Sequence, residues 1–401
     1  MLFQTLDDKS ECVAVFINNS LVKEIPDNIT KTWSYSPFLK GKNVEYASLY
    51  VEGKTLEQTC PENLKKNLDS INKKLESIFN SFKNAKISLN ENCFYDLTPK
   101  KYLEEYCDVK NKICEYVFDN YDRPKQYDFY SRFNELLFDI KNRSQNIDMD
   151  HFKNDLTDEK SLQYYRKLLT LNNYIDYNLF GAITGRLSTT KDSFPVLSYP
   201  KKYRKYIKPH NDWFISFDMN AAELRTSLAL VGKSQPAEDL YEMLARDIYE
   251  SKLTRTEVKE CTTAWLYNSS NPNAQIYKDA LEEVFLKNEL KLKYWDGKRI
   301  YTPYDREIES DEHHAISYLN QSTFIDLFHR QVLKIYDYLK DKESFISFLL
   351  HDQFVIDVKD EEKKDILDII KILQDTPYGI FPVKIEAGKN FGEMKKLKLK
   401  V

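Results

Sequence analysis

The stretch DWFISFDMNAAELR, residues 212–225, joins an apolar strand to a helix and places Asp218 where the strand ends. Aromatic and β-branched residues favour a buried strand in its first half, and AAELRTSLALVG predicts a helix that ends at Gly232. No basic residue stands next to Asp218 in the sequence to compensate its charge. Asp218 is either a helix N-cap or a group left free for a cation, and a second carboxylate would favour the cation.

The segment LLHDQFVIDV supplies the second carboxylate, Asp352. Two apolar runs flank His351, Asp352 and Gln353 and predict a tight hairpin with an acid at its tip. Two carboxylates held together repel each other and favour divalent cations. Two magnesium ions about 4 Å apart can stabilise the attacking and leaving oxygens of a phosphoryl transfer. Taken singly, however, a helix cap for Asp218 and a turn for Asp352 are the commoner uses of aspartate.

Between the two acids, LTRTEVKECTTAWLYNSS predicts a helix with a cationic stripe. Four side chains lie four residues apart and project along one face: Arg255, Lys259, Thr263 and Tyr267. Two cations one turn apart can grip a triphosphate, although a solvated basic face is the more frequent use of such a pattern. Trp265 and Tyr267 near the end of the helix favour the binding interpretation, because a solvated face needs no aromatic residues.

Several segments resemble those of the family A DNA polymerases, the bacterial polymerase I type, and they follow that family's order. They are TGRLSTT (184–190), DMNAAELR as motif A, RTEVKECTTAWLYN as motif B, LNQSTFID as the glutamine helix, LHDQF as motif C and FPVKIEAGKNFGEMKKL as the closing strand and tail. GKRIYTPYDREI also resembles a hairpin that precedes the glutamine helix. The resemblance spans residues 184–397, a little over half of the chain.

The resemblance implies a role for each matching residue. Asp218 and Asp352 would bind two magnesium ions and act in catalysis together with Lys259. The nucleotide-binding residues would be Arg255, Lys259, Tyr267, Thr263 and Glu223, and Glu223 would exclude a ribose 2′-hydroxyl as a steric gate. The residues in contact with primer or template DNA would be Arg186, Arg204, Gln321 and His351.

The implied fold is a mixed α+β right hand, with an antiparallel-sheet palm, helical fingers and a reduced helical thumb. We predict an N-terminal accessory β/α region (1–100), a helical region with the thumb (101–180), the first palm segment (181–232), the fingers (233–310) and the second palm segment (311–401). In the first region, CVAVFINNSLVKEI predicts a hairpin, EYASLYVEGKTL a further strand, and the segment from about residue 62 a helix. That region is either an eroded exonuclease domain or a separate module. It lacks the DxE motif with which a proofreading exonuclease begins, so we expect no proofreading by this chain.

Three residues depart from the family pattern. Gln353 stands where the family has Glu, which removes a third carboxylate and predicts reduced or retuned activity. Thr263 replaces an aromatic residue of motif B, and Asn268 replaces the Gly after its tyrosine. The short thumb predicts low processivity unless a processivity or replisome partner clamps the DNA.

We therefore predict a DNA-directed DNA polymerase, a nucleotidyltransferase that extends a primer on template DNA with dNTPs in replication or repair. One alternative is a polymerase-like DNA-binding scaffold with weakened catalysis; another is an RNA-synthesising relative or primase, which Glu223 opposes. A net charge of −4 excludes an indiscriminate polyanion binder, although the basic run KKYRKYIKP (201–209) is suited to a nucleic-acid backbone. No apolar run is long enough to span a membrane, so we expect a cytoplasmic protein. A composition rich in Lys, Asn and Ile suggests a phage or mobile element with an AT-rich genome.

Overall fold

The structure is a computed structural model that describes residues 1–8, 11–89 and 91–397. The chain forms two compact units, Met1–Glu135 and Leu136–Val401. Helices and strands are mixed in both units, which confirms the predicted α+β class.

The first unit combines a three-stranded antiparallel sheet with helices. Its elements are β1 (Gln4–Asp8), β2 (Glu11–Ile17), β3 (Ser20–Val22), β4 (Lys31–Thr32), β5 (Glu45–Tyr46), α1 (Ala47–Tyr50), α2 (Leu56–Thr59), α3 (Glu62–Asn84), α4 (Phe94–Leu97), α5 (Lys100–Asn120) and the start of α6 (Tyr127–Lys141). The predicted hairpin is confirmed as β2 and β3, with Asn18 and Asn19 in the left-handed region that a two-residue turn requires. The predicted strand in EYASLYVEGKTL is wrong beyond Tyr46, because α1 follows at once and buries Ala47 and Leu49.

The second unit carries the segments that resemble the polymerase motifs. Its elements before the motif B segment are β6 (Asn146–Ile147), α7 (Met149–Asn154), α8 (Glu159–Thr170), β7 (Tyr177–Asn178), β8 (Ser188–Thr189), β9 (Ile207–Lys208), β10 (Trp213–Met219), α9 (Ala222–Leu230) and α10 (Leu240–Asp247). The remaining elements are α11 (Arg255–Leu266), α12 (Pro272–Ile276), α13 (Lys278–Phe285), α14 (Lys287–Tyr294), β11 (Arg299–Tyr301), β12 (Glu307–Glu309), α15 (Ala315–Tyr338), β13 (Phe345–Leu349), β14 (Gln353–Val358), α16 (Ile366–Gln374), β15 (Asp375–Thr376), β16 (Gly379–Ile380), β17 (Val383–Gly388) and β18 (Lys395–Lys396).

A five-stranded antiparallel sheet organises this unit, with strand order β13-β14-β10-β17-β18. The strand predicted from DWFISFDM is β10, which lies at the centre of the sheet. The hairpin predicted from the two apolar runs of ESFISFLLHDQFVIDV (343–358) is confirmed as β13 and β14. One face of the sheet is apolar: the rings of Phe217 and Phe354 stack at 4.9 Å, and Phe328 of α15 lies 6.0 Å from Phe354. Because side chains alternate along a strand, the neighbours of Phe217 and Phe354 point to the opposite face.

Candidate active site

The two predicted metal-binding residues lie at the end of the sheet where β10 exits and β14 begins. Asp218 pairs with Gln353 on one side and with Lys384 of β17 on the other. Residues directly opposite each other in antiparallel strands share a face, so these three side chains form one row across the sheet. Asp352 precedes Gln353 in the turn, and Lys384 forms an ion pair of 2.6 Å with Glu386. We call Asp218 and Asp352 the carboxylate edge.

The side chains of the carboxylate edge are unpaired in the part of the chain that the structure describes. Among residues 1–8, 11–89 and 91–397, the carboxylate of neither Asp218 nor Asp352 makes a hydrogen bond or an ion pair. Burial and, next, the charge of Asp352 raise the pKa of Asp218 to about 6 against the lowering effect of Lys384 and Lys259. The two carboxylates are therefore close enough to repel, and Lys259 is close enough to attract one of them.

Asp357, on the same sheet, is a carboxylate whose two oxygens both accept hydrogen bonds. It is fully buried in β14, and burial raises its pKa. Its two oxygens accept backbone N–H groups from His210 at 2.6 Å and Asn211 at 2.9 Å. Asp218 has no such donors, and Ala221 rather than Asp218 is the N-cap of α9, so the helix-cap alternative for Asp218 is wrong.

Glu223 lies in the first turn of α9, next to the carboxylate edge. Arg186 donates a hydrogen bond of 2.7 Å to its carboxylate, so two of the predicted site residues contact each other. Burial nevertheless raises the pKa of Glu223 to about 7, with a further contribution from Asp352 against the lowering effect of Arg186. Gly185, the residue before Arg186, has φ +81°, and a Cβ there would lie 2.6 Å from the guanidinium of Arg306.

Helix α11 presents the cationic stripe as predicted. Thr254 and Glu257 form a capping box, which fixes the start of the helix. Arg255 forms an ion pair of 2.7 Å with Asp239, the N-cap of α10. Arg255 and Lys259 also lie over the ring of Tyr241, 5.3 and 6.0 Å from its centroid. Each cation is thus supported by the start of α10.

The end of α11 is fixed by contacts with α14 and α15. Tyr267, which ends the helix, accepts a hydrogen bond of 3.2 Å from Gln321, so these two predicted site residues also meet. Asn268 has φ 55°, the left-handed conformation for which the family uses Gly. Its side chain donates to the carbonyl of His313 and accepts from Lys287, both at 2.7 Å. Asn therefore fulfils the conformational requirement and adds two hydrogen bonds.

The predicted DNA contacts differ in their surroundings. His351 adjoins the carboxylate edge: burial and Arg186 lower its pKa, and Asp352 opposes them. Arg204 instead packs over the ring of Phe391 at 4.6 Å and donates to the carbonyl of Tyr199. Much of the basic run 201–209 is neutralised by acidic residues upstream, in the pairs Lys202 with Asp158, Lys205 with Asp155 and Lys208 with Asp148.

Sequence reasoning missed three residues of this site: Asp239, Tyr241 and Lys384. Asp239 carries an N-cap signal before α10, which would have located the helix start but not its contact with Arg255. Alternation along PVKIEAG places Lys384 and Glu386 on one strand face, which could have identified Lys384 as a neighbour of the carboxylate edge. No sequence signal connects Tyr241 with α11.

The described residues contain no group of three or more His, Cys, Asp or Glu side chains arranged to hold a metal ion. Within the same residues, no helix is both long enough and apolar enough to cross a membrane.

Comparison of the sequence with protein-family models and with curated proteins gives no match. Comparison of the structure gives a match to the POL domain of Pol1 from M. smegmatis, in complex with DNA primer-template and dNTP. The TM-score is 0.55 at 12% sequence identity, and the match covers 73% of this chain and 76% of that chain. The fold is therefore similar to that of a polymerase I domain.

Proposed function

We propose that this chain is a template-directed DNA polymerase that extends a primer 3′ end with dNTPs and releases pyrophosphate. The observation that carries the proposal is the pair of unpaired carboxylates at the carboxylate edge, with Lys259 of α11 close enough to act electrostatically on Asp218. The similarity of the fold to a polymerase domain in complex with primer-template and dNTP supports it. Primer-template DNA and dNTPs are accordingly the proposed partners, and the phage origin remains a prediction.

The residues of the carboxylate edge fit magnesium. Within the described residues, the carboxylates of Asp218 and Asp352 have no hydrogen-bonding partner, and their mutual repulsion is relieved when a divalent cation binds. Bound magnesium would lower the pKa of the primer hydroxyl and stabilise charge on the leaving phosphate. We propose that these two residues hold the metal.

The remaining residues would bind and orient the nucleotide. Arg255 and Lys259 would grip the triphosphate with charge-assisted hydrogen bonds. Glu223, held by Arg186, would occupy the space that a ribose 2′-hydroxyl needs. Because phosphoryl transfer depends mainly on positioning and electrostatic stabilisation, these roles suffice for catalysis.

Primer extension tests the proposal. The purified protein is incubated with a labelled primer on a DNA template, magnesium, and either dNTPs or NTPs, with Asp352→Asn as the control. Extension by wild type with dNTPs but not with NTPs would support the proposed reaction and its sugar preference. Loss of that extension in Asp352→Asn would support the proposed metal-binding residues. Extension with NTPs at an equal rate would favour an RNA-synthesising enzyme instead.

A second candidate is a polymerase-like scaffold that binds DNA without catalysis. Gln353 favours it, because the described residues provide only two carboxylates at the edge of the sheet. A scaffold would bind duplex DNA equally well with and without magnesium and dNTP, and wild type would be as inactive as Asp352→Asn even with manganese.

A further inference from the structure

Helix α11 lacks the aromatic residue that the polymerase resemblance predicts at position 263, and a different helix brings one to that point. Tyr241, in the first turn of α10, is 7% exposed. The charge of Glu223 raises the pKa of its hydroxyl and the side chain of Thr263 lowers it, so both groups lie near the ring. Burial and that charge raise the pKa of Tyr241 to about 12, so the hydroxyl is neutral at physiological pH. Tyr241 thus lies among the residues predicted to bind the nucleotide.

The ring of Tyr241 also contacts the two cations of the stripe. The guanidinium of Arg255 lies 5.3 Å from the ring centroid and the ammonium of Lys259 lies 6.0 Å from it. Both distances are within the range in which the face of an aromatic ring attracts a cation. Asp239 caps α10 through the backbone N–H of Tyr241 and pairs with Arg255, so the start of α10 fixes the ring relative to α11.

Long cationic side chains lose conformational freedom when they bind a phosphate group, and that loss weakens binding. A rigid ring that already supports both side chains reduces the loss. The pKa of the ring hydroxyl plays no part in this effect, because the quadrupole of the ring face supplies the attraction.

From this arrangement we infer that Tyr241 is a positioning residue for the triphosphate of the incoming nucleotide, whose ring holds Arg255 and Lys259 ready to bind. The inference rests on the proposed function for the identity of the natural ligand. The effect of the ring can be tested without the natural ligand: removing the ring weakens binding of a linear triphosphate, and removing only the hydroxyl does not.

Tyr249 provides a matched control. It is fully buried in the same hydrophobic core, and its hydroxyl lies 3.0 Å from that of Thr262, the neighbour of Thr263. Its ring packs against Tyr277 at 4.6 Å rather than against a cation. Loss of the Tyr249 ring should therefore lower stability without a specific effect on phosphate binding.

The experiment compares Tyr241→Leu, Tyr241→Phe, Tyr249→Leu and Tyr249→Phe with wild type in the full chain. Binding of inorganic tripolyphosphate is measured by calorimetry, at a temperature where circular dichroism shows each variant to be folded, and KM and kcat for dNTPs are measured by primer extension. We expect Tyr241→Leu to weaken tripolyphosphate binding and raise KM by about five- to tenfold in parallel. We expect Tyr241→Phe and both Tyr249 variants to remain within about twofold of wild type.

Each outcome bears on one proposal or the other. Unchanged binding in Tyr241→Leu, equal weakening in Tyr249→Leu, or no tripolyphosphate binding by wild type would overturn the inference about Tyr241. Tripolyphosphate binding by wild type that Tyr241→Leu weakens, without any primer extension, would support the inference and contradict the polymerase proposal. Extension by wild type with the same KM in Tyr241→Leu would leave the polymerase proposal standing and remove Tyr241 from it.

Discussion

The carboxylate edge and the cationic stripe of α11 carry opposite charges and are prepared for their ligands in opposite ways. Within the described residues, Asp218 and Asp352 have no protein partner, and burial and repulsion raise the pKa of Asp218. Arg255 is already paired with Asp239, and Lys259 lies over the ring of Tyr241. The carboxylates have no protein partner, whereas the two cations are held by Asp239 and by the ring of Tyr241.

The difference follows from the elements that carry the charges. Asp218 is a short side chain on the central strand of a sheet, so it cannot move away from Asp352, and the repulsion lowers the stability of the metal-free protein. Arg255 and Lys259 are long side chains at the surface of a helix and can exchange partners at small cost. Substitutions at the edge should therefore remove activity while raising stability, whereas substitutions on the stripe should change nucleotide affinity by degrees.

The largest expected effect is that of Asp218→Asn. Loss of a metal ligand should reduce primer extension by about a thousandfold or more. The same change removes a repelling charge from a partly buried site, so the free energy of unfolding without metal at pH 7.5 should rise by on the order of 1–3 kcal/mol. Extension assays and denaturant unfolding in EDTA measure the two effects.

Asp357→Asn is the control for that variant. Asp357 accepts two backbone N–H groups, one on each oxygen, and Asn would present an N–H to one of them. The unpaired donor outweighs the relief of a buried charge, so the replacement should lower the free energy of unfolding by on the order of 1–3 kcal/mol. If both variants lost stability equally, the comparison between bare and satisfied carboxylates would be wrong.

Lys259→Ala should have the next largest effect. A charge-assisted contact to the triphosphate is worth about a ten- to hundredfold change in affinity, so KM for dNTPs should rise by that factor and kcat should fall as well. Lys252→Ala is the matched control, because Lys252 is an exposed cation near α11 that pairs with Glu250. Equal kinetics in the two variants would exclude Lys259 from nucleotide binding.

Glu223 lies between the two regions and should determine the choice of sugar. Glu223→Ala opens space beside the nucleotide, so the preference for dNTPs over NTPs should fall by about ten- to a hundredfold. Glu223→Gln keeps the volume but loses the charge pairing with Arg186 and should retain most of the preference. Ratios of kcat/KM for the two nucleotide classes measure the change, and a loss in both variants would assign the effect to charge rather than size.

The pH dependence of stability should reveal the unsatisfied carboxylates. The pKa values of Asp218 and Glu223 are raised to about 6 and about 7, so the folded protein binds these protons more tightly than the unfolded chain does. Their contribution is fully present below about pH 4 and is lost as pH rises to about 7, by on the order of 1–3 kcal/mol for each group.

Denaturant unfolding in EDTA between pH 4 and 8 tests this loss. The difference in free energy of unfolding between wild type and Asp218→Asn/Glu223→Gln isolates the two groups from all other titrating residues. Magnesium should restore part of the stability of wild type at pH 7 and none in the double variant. A difference that did not vary with pH would show that neither pKa is raised.

The smallest effect is expected at the end of the stripe, at Asn268. Asn268→Gly keeps the left-handed conformation and loses two hydrogen bonds, which should cost about 1 kcal/mol. Asn268→Ala also places an unfavourable residue at positive φ and should cost about 1–2 kcal/mol more. Thermal unfolding measures both, and equal stability of Gly and Ala variants would contradict the conformational argument.

The sequence alone determined the elements of the site and the residues at their ends. Strand β10, the β13–β14 hairpin and helix α11 follow from apolar runs and helical spacing, and these patterns depend on residues close together in the chain. Asp218, Asp352 and the stripe from Arg255 to Tyr267 could be placed for the same reason. The predicted strand at EYASLY was wrong beyond Tyr46, because so short a segment is compatible with both the strand period and the helix period. In the structure it forms α1, which buries Ala47 and Leu49.

Only the tertiary structure decided which of these residues have partners. Glu223 pairs with Arg186, and acidic residues about 50 positions upstream neutralise part of the basic run 201–209. Each contact joins segments that are distant in the chain, and the sequence does not show that they lie close together in the fold. The contact between Tyr241 and the cationic stripe likewise depends on the packing of α10 against α11. Periodicity shows which face of an element is buried, but the identity of the residue it meets depends on long-range packing.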